Sequence, residues 1–117
     1  MTGVLNVGEY LSPGESLVSD NGNYELILQT DGNLVIYYKG GGASTAVWAT
    51  MTEGKGSQKL TLSPTSNLVL TNGAGATVWS SGSLGRGYGP TLVMQDDGNL
   101  VIYATPAVWD TGTNGKT

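Results

Sequence analysis

The chain has 117 residues, a length that suits one domain burying roughly two thirds of the surface its unfolded form exposes. It has no cysteine and no histidine, which removes disulfides, thiolate metal sites and the commonest general base. A net charge of −4 without any basic cluster argues against nucleic acid as a partner, and no apolar run approaches the roughly 20 residues a membrane helix needs, so no membrane insertion is expected.

The opening stretch, "MTGVLNVGEYLSPG", has neither a charged start nor a long apolar run. It is not a signal peptide, and with no cysteine present the chain is expected to be cytoplasmic, or secreted after processing. Nineteen glycines, with many Thr, Ser and Asn, speak against helix throughout. Short runs of Val, Leu, Ile, Thr and Tyr broken by Gly, Asn and Asp predict an all-β chain of short strands and tight turns. The first clear turn is Asn21-Gly22, so Leu17 to Ser19 is expected to pair with the strand that starts at Tyr24.

The next segment, "YELILQTDGNLVIYY", reads as a hairpin. A three-residue loop, Thr30-Asp31-Gly32, with glycine in the left-handed position sets Leu28 against Leu34 and Leu26 against Ile36. One face then carries Leu26, Leu28, Leu34 and Ile36, all apolar. The other carries Glu25, Gln29, Asn33, Val35 and Tyr37, with Asp31 at the tip. A two-residue loop would mix the two sets, so the hydrophobic pattern selects the register. A further strand is predicted over Ala46 to Thr50.

Two later segments repeat this unit. "LTLSPTSNLVLT" places Leu60, Leu62, Leu68 and Leu70 inside, and "TLVMQDDGNLVIY" places Leu92, Met94, Leu100 and Ile102 inside. Each is followed by a predicted strand, Thr77 to Ser81 and Ala107 to Thr111. Asn33, Asn67 and Asn99 are spaced by 34 and 32 residues, and Trp48, Trp79 and Trp109 by 31 and 30. A period near 30 residues marks a repeated supersecondary unit. The expectation is three small antiparallel sheets about a pseudo-threefold axis, with the three tryptophans filling the centre.

The outer faces are not alike. "QTDGNLVIY" and "QDDGNLVIY" agree at eight of nine positions, whereas the middle copy, "SPTSNLVLT", keeps only Asn-Leu-Val. The fold therefore needs the inner face three times, and something else needs the outer face twice. Asp31 is an acceptor when ionised, while Gln29 and Asn33 bring both donor and acceptor atoms. A phenol and a small apolar side chain stand beside them on the same face. Taken singly, each residue is ordinary turn or strand chemistry. The constellation gains weight because the middle copy tolerates Ser, Thr and Thr at the corresponding places.

The two intact phrases fit the Gln-x-Asp-x-Asn-x-Val-x-Tyr motif, and the chain resembles the monocot mannose-binding lectins, the bulb-type or snowdrop-agglutinin-like family. The resemblance extends to "LNVGEYLSPGESLVSDNGNYELILQ" and to "VWDTGTNG". It implies a β-prism II fold of three four-stranded antiparallel sheets. It also implies mannose and mannose-terminated glycans or glycoproteins as ligands, no metal or other cofactor, and no catalysis. Carried over by position, the first site is Gln29, Asp31, Asn33, Val35 and Tyr37, and the second is Gln95, Asp97, Asn99, Val101 and Tyr103. The middle set, Ser63, Thr65, Asn67, Val69 and Thr71, is expected not to bind, with Pro64 and Ser66 altering its turn. Replacing Asn33 and Asn99 by Ala is expected to abolish binding and spare the fold. The disulfide that many plant members share would align here with Gly32 and Gln58. The family often exchanges its C-terminal strand between chains, which implies a homodimer.

Other functions are weaker. Asp31 and Asp97 belong to different repeats, which does not suit a glycosidase carboxylate pair. "DDGN" lacks the glycine offset and closing Glu of an EF-hand. A protein-interaction or toxin module on the same scaffold, with relic sites, is the main alternative.

Overall fold

The computed structural model describes residues 3–83, 85, 88–105 and 109–117. Among the described residues there are twelve strands and no helix. They are β1 (Val4–Asn6), β2 (Tyr10–Leu11), β3 (Ser16–Val18), β4 (Tyr24–Leu28), β5 (Leu34–Tyr38) and β6 (Thr45–Ala49), then β7 (Ser57–Leu62), β8 (Leu68–Asn72), β9 (Thr77–Ser80), β10 (Tyr88–Met94), β11 (Leu100–Thr105) and β12 (Trp109–Asp110). They assemble into three four-stranded sheets in the orders β3-β4-β5-β6, β2-β7-β8-β9 and β1-β10-β11-β12, with antiparallel pairing throughout.

The hairpin register follows the apolar pattern. Leu28 pairs with Leu34, Leu26 with Ile36 and Glu25 with Tyr37. The same alignment recurs as Leu62 with Leu68 and as Met94 with Leu100. All twelve inner residues named above are buried, ten leucines and isoleucines without any exposed surface and Leu62 and Met94 at 2%. Directly opposed side chains share a face, so a single choice of loop length places four apolar groups per sheet in one core. The Asn21-Gly22 turn also forms: the Gly22 amide donates to the Ser19 carbonyl at 2.8 Å, and Leu17 pairs with Leu26.

The N-terminal segment sends one short edge strand to each sheet: the expected β3 to β4, and two that the sequence reading missed, β1 to β10 and β2 to β7. Leu5, Leu11 and Leu17, six residues apart, are fully buried, one under each sheet. That spacing was the available signal.

Trp48, Trp79 and Trp109 lie at the margin of the core rather than filling its centre. They are half-buried and stack edge-to-face on one another, with ring centroids 5.6, 5.9 and 6.3 Å apart. Such tilted pairs contribute about 0.5–1.5 kcal/mol beyond burial. The triangle joins the last strands of the three sheets. Of the strand predicted over Ala107 to Thr111, Trp109 and Asp110 form β12 and pair with Ile102 and Val101, while Ala107 and Val108 lie outside the described residues.

Leu11 anchors a two-residue strand, and Leu68 sits in the middle of the core. Each replaced by Ala should destabilise the protein by about 2–5 kcal/mol, read from urea unfolding midpoints. A shift below 1 kcal/mol at Leu11 would show that β2 is not fastened by its side chain.

Candidate functional site

Each hairpin tip is built the same way. Gln29 N–H donates to the Asn33 carbonyl at 2.9 Å and Gly32 N–H to the Gln29 carbonyl at 3.0 Å. Gly32 and Gly98 hold φ of 91° and 89°, in the left-handed region that glycine adopts without strain. The middle tip keeps this shape although it has Ser66 in that position, at φ 70°, with the equivalent bonds at 2.9 and 3.0 Å. The expectation that Pro64 and Ser66 would alter the turn is therefore wrong. The tertiary setting imposes the conformation on a residue that would not choose it.

What holds each tip is the asparagine. Asn33 Oδ1 accepts from the Thr50 hydroxyl at 3.3 Å and from the Thr52 amide at 3.2 Å. Asn67 Oδ1 accepts from the Ser81 hydroxyl at 3.2 Å and the Ser83 amide at 3.3 Å. Asn99 Oδ1 accepts from the Thr111 hydroxyl at 3.1 Å and the Thr113 amide at 3.3 Å. A backbone N–H can only donate, so the carbonyl end of each side chain faces inward and the NH2 faces out. A second hydroxyl completes each clamp. Thr52 donates to the Gly32 carbonyl at 2.8 Å, Ser83 to that of Ser66 at 2.6 Å, and Thr113 to that of Gly98. The sequence signal was a pair of hydroxyls two and four positions after every tryptophan: Thr50 and Thr52, Ser81 and Ser83, Thr111 and Thr113. The reading of Asn33 and Asn99 as purely outward groups is corrected: their Ala variants would take the acceptor from the part-buried Thr52 and Thr113 amides.

The remaining residues of the first and third tips form a repeated polar frame. Asp31 Oδ1 accepts from the Asn33 amide and Asp97 Oδ1 from the Asn99 amide, each at 2.9 Å. The carboxylates are exposed. Gln29 Nε2 donates to the Tyr37 phenol oxygen, and Gln95 Nε2 to that of Tyr103. By register, this bridge crosses the row that holds Val35, or Val101. The valines are accordingly only 3% and 7% exposed. The structure thus brings all five positions of each set together at one tip. Gln29 and Asp31 border a depression of about 320 Å³. Gln95, Asp97 and Tyr103 border one of about 480 Å³ that also takes in Asp20 and Asp96. The Asn21 amide donates to Asp96 Oδ1 at 2.8 Å, so the turn before β4 is docked on the third tip.

The middle tip lacks the frame. The Ser63 hydroxyl accepts from the Asn67 amide at 3.0 Å and meets the Thr65 hydroxyl at 2.9 Å. These serve the turn as Asp31 does, without a charge. No bridge covers Val69, which is half-buried.

The residue facing Gly32 is Ser57, not Gln58. A Cβ built on Gly32 would lie 3.5 Å from Ser57 Oγ, and Gln58 is exposed. Ser57 Oγ is buried and has no hydrogen-bond partner among the described residues. No group of three or more acidic residues among the described residues could hold a metal.

Three four-stranded sheets about a common core, with a polar frame repeated at two of three hairpin tips, define a β-prism binding protein. No family model matches the chain, but individual proteins do. A mannose-specific lectin of Aloe arborescens is 37% identical over 94% of this chain and 91% of its own length. Mannose-specific lectin 1 of Colocasia esculenta is 35% identical over 86% of this chain, which spans 36% of that longer protein. The snowdrop (Galanthus nivalis) mannose-specific agglutinin, solved with methyl-α-D-mannoside, superposes with a TM-score of 0.77 at 36% identity, covering 96% of this chain and 97% of that one. The chain belongs to the bulb-type mannose-binding lectin family and has its β-prism II fold. The family consists of lectins and is not enzymatic.

Asn67→Ala tests the clamp apart from any ligand. It strips the acceptor from the Ser81 hydroxyl and the Ser83 amide and should cost about 1–3 kcal/mol. Asn33→Ala should cost a similar amount. Thermal unfolding of both variants reads the effect, and an unchanged midpoint would remove the clamp's structural role.

Proposed function

We propose that this chain is a single lectin domain that binds mannose and mannose-terminated glycans or glycoproteins at two sites, without a metal. The observation that carries the reading is the difference between tips. The same turn and the same asparagine clamp occur at all three, yet the Gln, Asp and Tyr frame occurs at two. The mannose specificity of the Aloe relative, and the mannoside in the snowdrop structure, point to the same ligand.

The frame leaves its ligand-facing atoms in an alternating order. The phenol oxygen of Tyr37 accepts from Gln29 Nε2, so its proton remains available to donate. Gln29 Oε1 remains an acceptor. Asp31 offers Oδ2, and Asn33 offers the NH2 that its inward carbonyl leaves outside. Asp97, Asn99, Gln95 and Tyr103 repeat the set. Adjacent ring hydroxyls both donate and accept, and this alternation satisfies them in pairs. The acid and the two amides would take O2 and O3, and the phenol O4. An axial O2 would then distinguish mannose from glucose. Val35 and Val101 expose little surface, so they support the bridge more than they cover the ring. A shallow site of this kind should bind a monosaccharide with roughly millimolar affinity, about −4 kcal/mol. Useful avidity then comes from several sites acting together.

Asp31→Asn and Asp97→Asn separate binding from folding, because Asn retains the Oδ1 that accepts the turn amide. Calorimetric titration with methyl α-mannoside should give two sites per chain. Each single variant should weaken one site about 10- to 100-fold, the loss of a charge-assisted bond of about 1.5–3 kcal/mol. The double variant should abolish detectable binding, and EDTA should change nothing. Undiminished binding in the double variant would sink the assignment, and silence of the wild-type protein on every mannose-terminated glycan would favour the relic interaction module.

A homodimer by exchange of the C-terminal strand is the proposed assembly. Within one chain β12 already pairs with β11, so exchange would substitute like for like. Light scattering of the full chain at micromolar concentration should give twice the chain mass, and a monomer mass would exclude exchange.

A further inference from the structure

The middle sheet has lost the mannose frame, but its outer face is not blank. Register places Lys59 opposite Thr71, as Glu25 stands opposite Tyr37 and Thr91 opposite Tyr103. Thr71 therefore occupies the place of the two phenols, and the volume they fill elsewhere is open here. At that end of the middle sheet, away from its hairpin tip, lies a cleft of about 570 Å³. It is lined by Gln58, Lys59, Thr71 and Asn72 together with glycines of the flanking turns. The pairing of β7 with β8 shifts register between Ser57 and Lys59. Irregularities of this kind re-aim side chains and recur beside functional sites.

Lys59 is held in place. Its Nζ sits 4.5 Å from the centroid of the Tyr10 ring, and Tyr10, from edge strand β2, is 45% exposed. A lysine over a tyrosine face is attracted by about 0.5–1 kcal/mol at an exposed site. That is enough to favour one placement of a flexible ammonium without removing it from solvent. Its charge is also unspent: Lys39 is paired with Glu25 at 3.1 Å, but among the described residues no carboxylate lies within ion-pair distance of Lys59. On a chain of net charge −4, a fixed and unpaired cation in an open cleft is out of keeping with its surroundings.

We propose that the middle sheet carries a second kind of saccharide site, selective for an acidic sugar, with Lys59 as its anion-binding group. A carboxylate or sulfate on a pyranose would pair with the ammonium of Lys59. Ring hydroxyls would meet Gln58 and Thr71, whose side chains supply both donors and acceptors, and the NH2 of Asn72, whose Oδ1 is already taken by the Ala74 and Ala76 amides at 2.9 and 3.0 Å. The exposed edge of Tyr10 would take the apolar side of the ring. Among the described residues no lysine or arginine borders the depressions at the first and third tips, whereas Lys59 lines the middle cleft, so the sites differ in the sign of charge they select. The proposal stands on the middle sheet alone and does not require the mannose reading.

The test is an NMR titration of the full chain with methyl α-mannoside present throughout. Glucuronic acid, N-acetylneuraminic acid and glucose 6-sulfate are the acidic probes, and galactose is the neutral control, each taken well above the roughly millimolar affinity of a single open site. The expected result is amide shifts at Gln58, Lys59, Thr71 and Asn72 with at least one acidic probe and none with galactose, weakened by added salt. Response to uronic or sialic acid alone assigns a carboxylate ligand, and response to the sulfate alone a sulfated one. Lys59→Met removes the charge at similar side-chain length and should reduce affinity at least tenfold, with the melting temperature lowered by no more than the loss of one exposed cation–π contact. No shifts with any acidic probe, equal shifts with galactose, or undiminished binding by Lys59→Met would each overturn the proposal.

Discussion

The rest of the structure depends on one inward-facing, part-buried acceptor, the side-chain carbonyl of the asparagine at each hairpin tip. It receives a hydroxyl and an amide from the loop that leaves the same sheet. The adjoining tip carbonyls are met by a second hydroxyl. A third contact follows in each repeat, from the amides of Gly54, Gly85 and Gly115 to the carbonyls of Asp31, Thr65 and Asp97, at 2.9, 2.6 and 2.6 Å. These bonds fasten each hairpin to the segment that departs for the next element. Without them the tips would present unsatisfied groups at the junctions between sheets, each costing on the order of 1–3 kcal/mol. Asparagine suits the position because it has two different ends. The carbonyl is committed to the fold, and the NH2 is left for the outer face.

This division separates two kinds of change. Inner leucines are fixed by the packing of three sheets on a common core, where a lost methyl group leaves a cavity. Outer residues sit above a backbone that the clamp has already secured. The middle tip shows the consequence. It carries Pro64, Ser66 and hydroxyls in place of a carboxylate, yet keeps the turn. One scaffold can therefore present unlike outer faces: a bridged glutamine and tyrosine on two sheets, a lysine stacked on a tyrosine on the third.

The hairpins were legible because opposed residues share a face. A single assumption about loop length sorted Leu26, Leu28, Leu34 and Ile36 from Gln29, Asn33 and Tyr37, and the pattern recurred. Of the edge strands only β3 was legible, through the Asn21-Gly22 turn that folds it onto β4. β1 and β2 are two or three residues long, too short for alternation to appear, and their partners lie far along the chain. The clamp hydroxyls escaped notice because Thr and Ser after a strand read as loop composition. Only the backbone showed that Thr50 and Thr52 converge on Asn33. Ser66 misled for the opposite reason: its local preference is real, but the surrounding bonds override it.

The edge strands also bear on how the protein reaches this structure. Val4 pairs with Val93, and Leu11 with Leu60. The middle sheet cannot gain its outer strand until some fifty residues beyond that strand have been made, and the third sheet waits for nearly the whole chain. Pairings so distant in sequence incur their loop-closure cost early and are rewarded late, which places such topologies among the slower folders, in the millisecond-to-second range. On the ribosome, the hairpin of β4 and β5 can form with β3 as soon as it emerges. The segment before β3 would meanwhile remain a free arm, with two apolar anchors, Leu5 and Leu11, and no sheet yet to receive them.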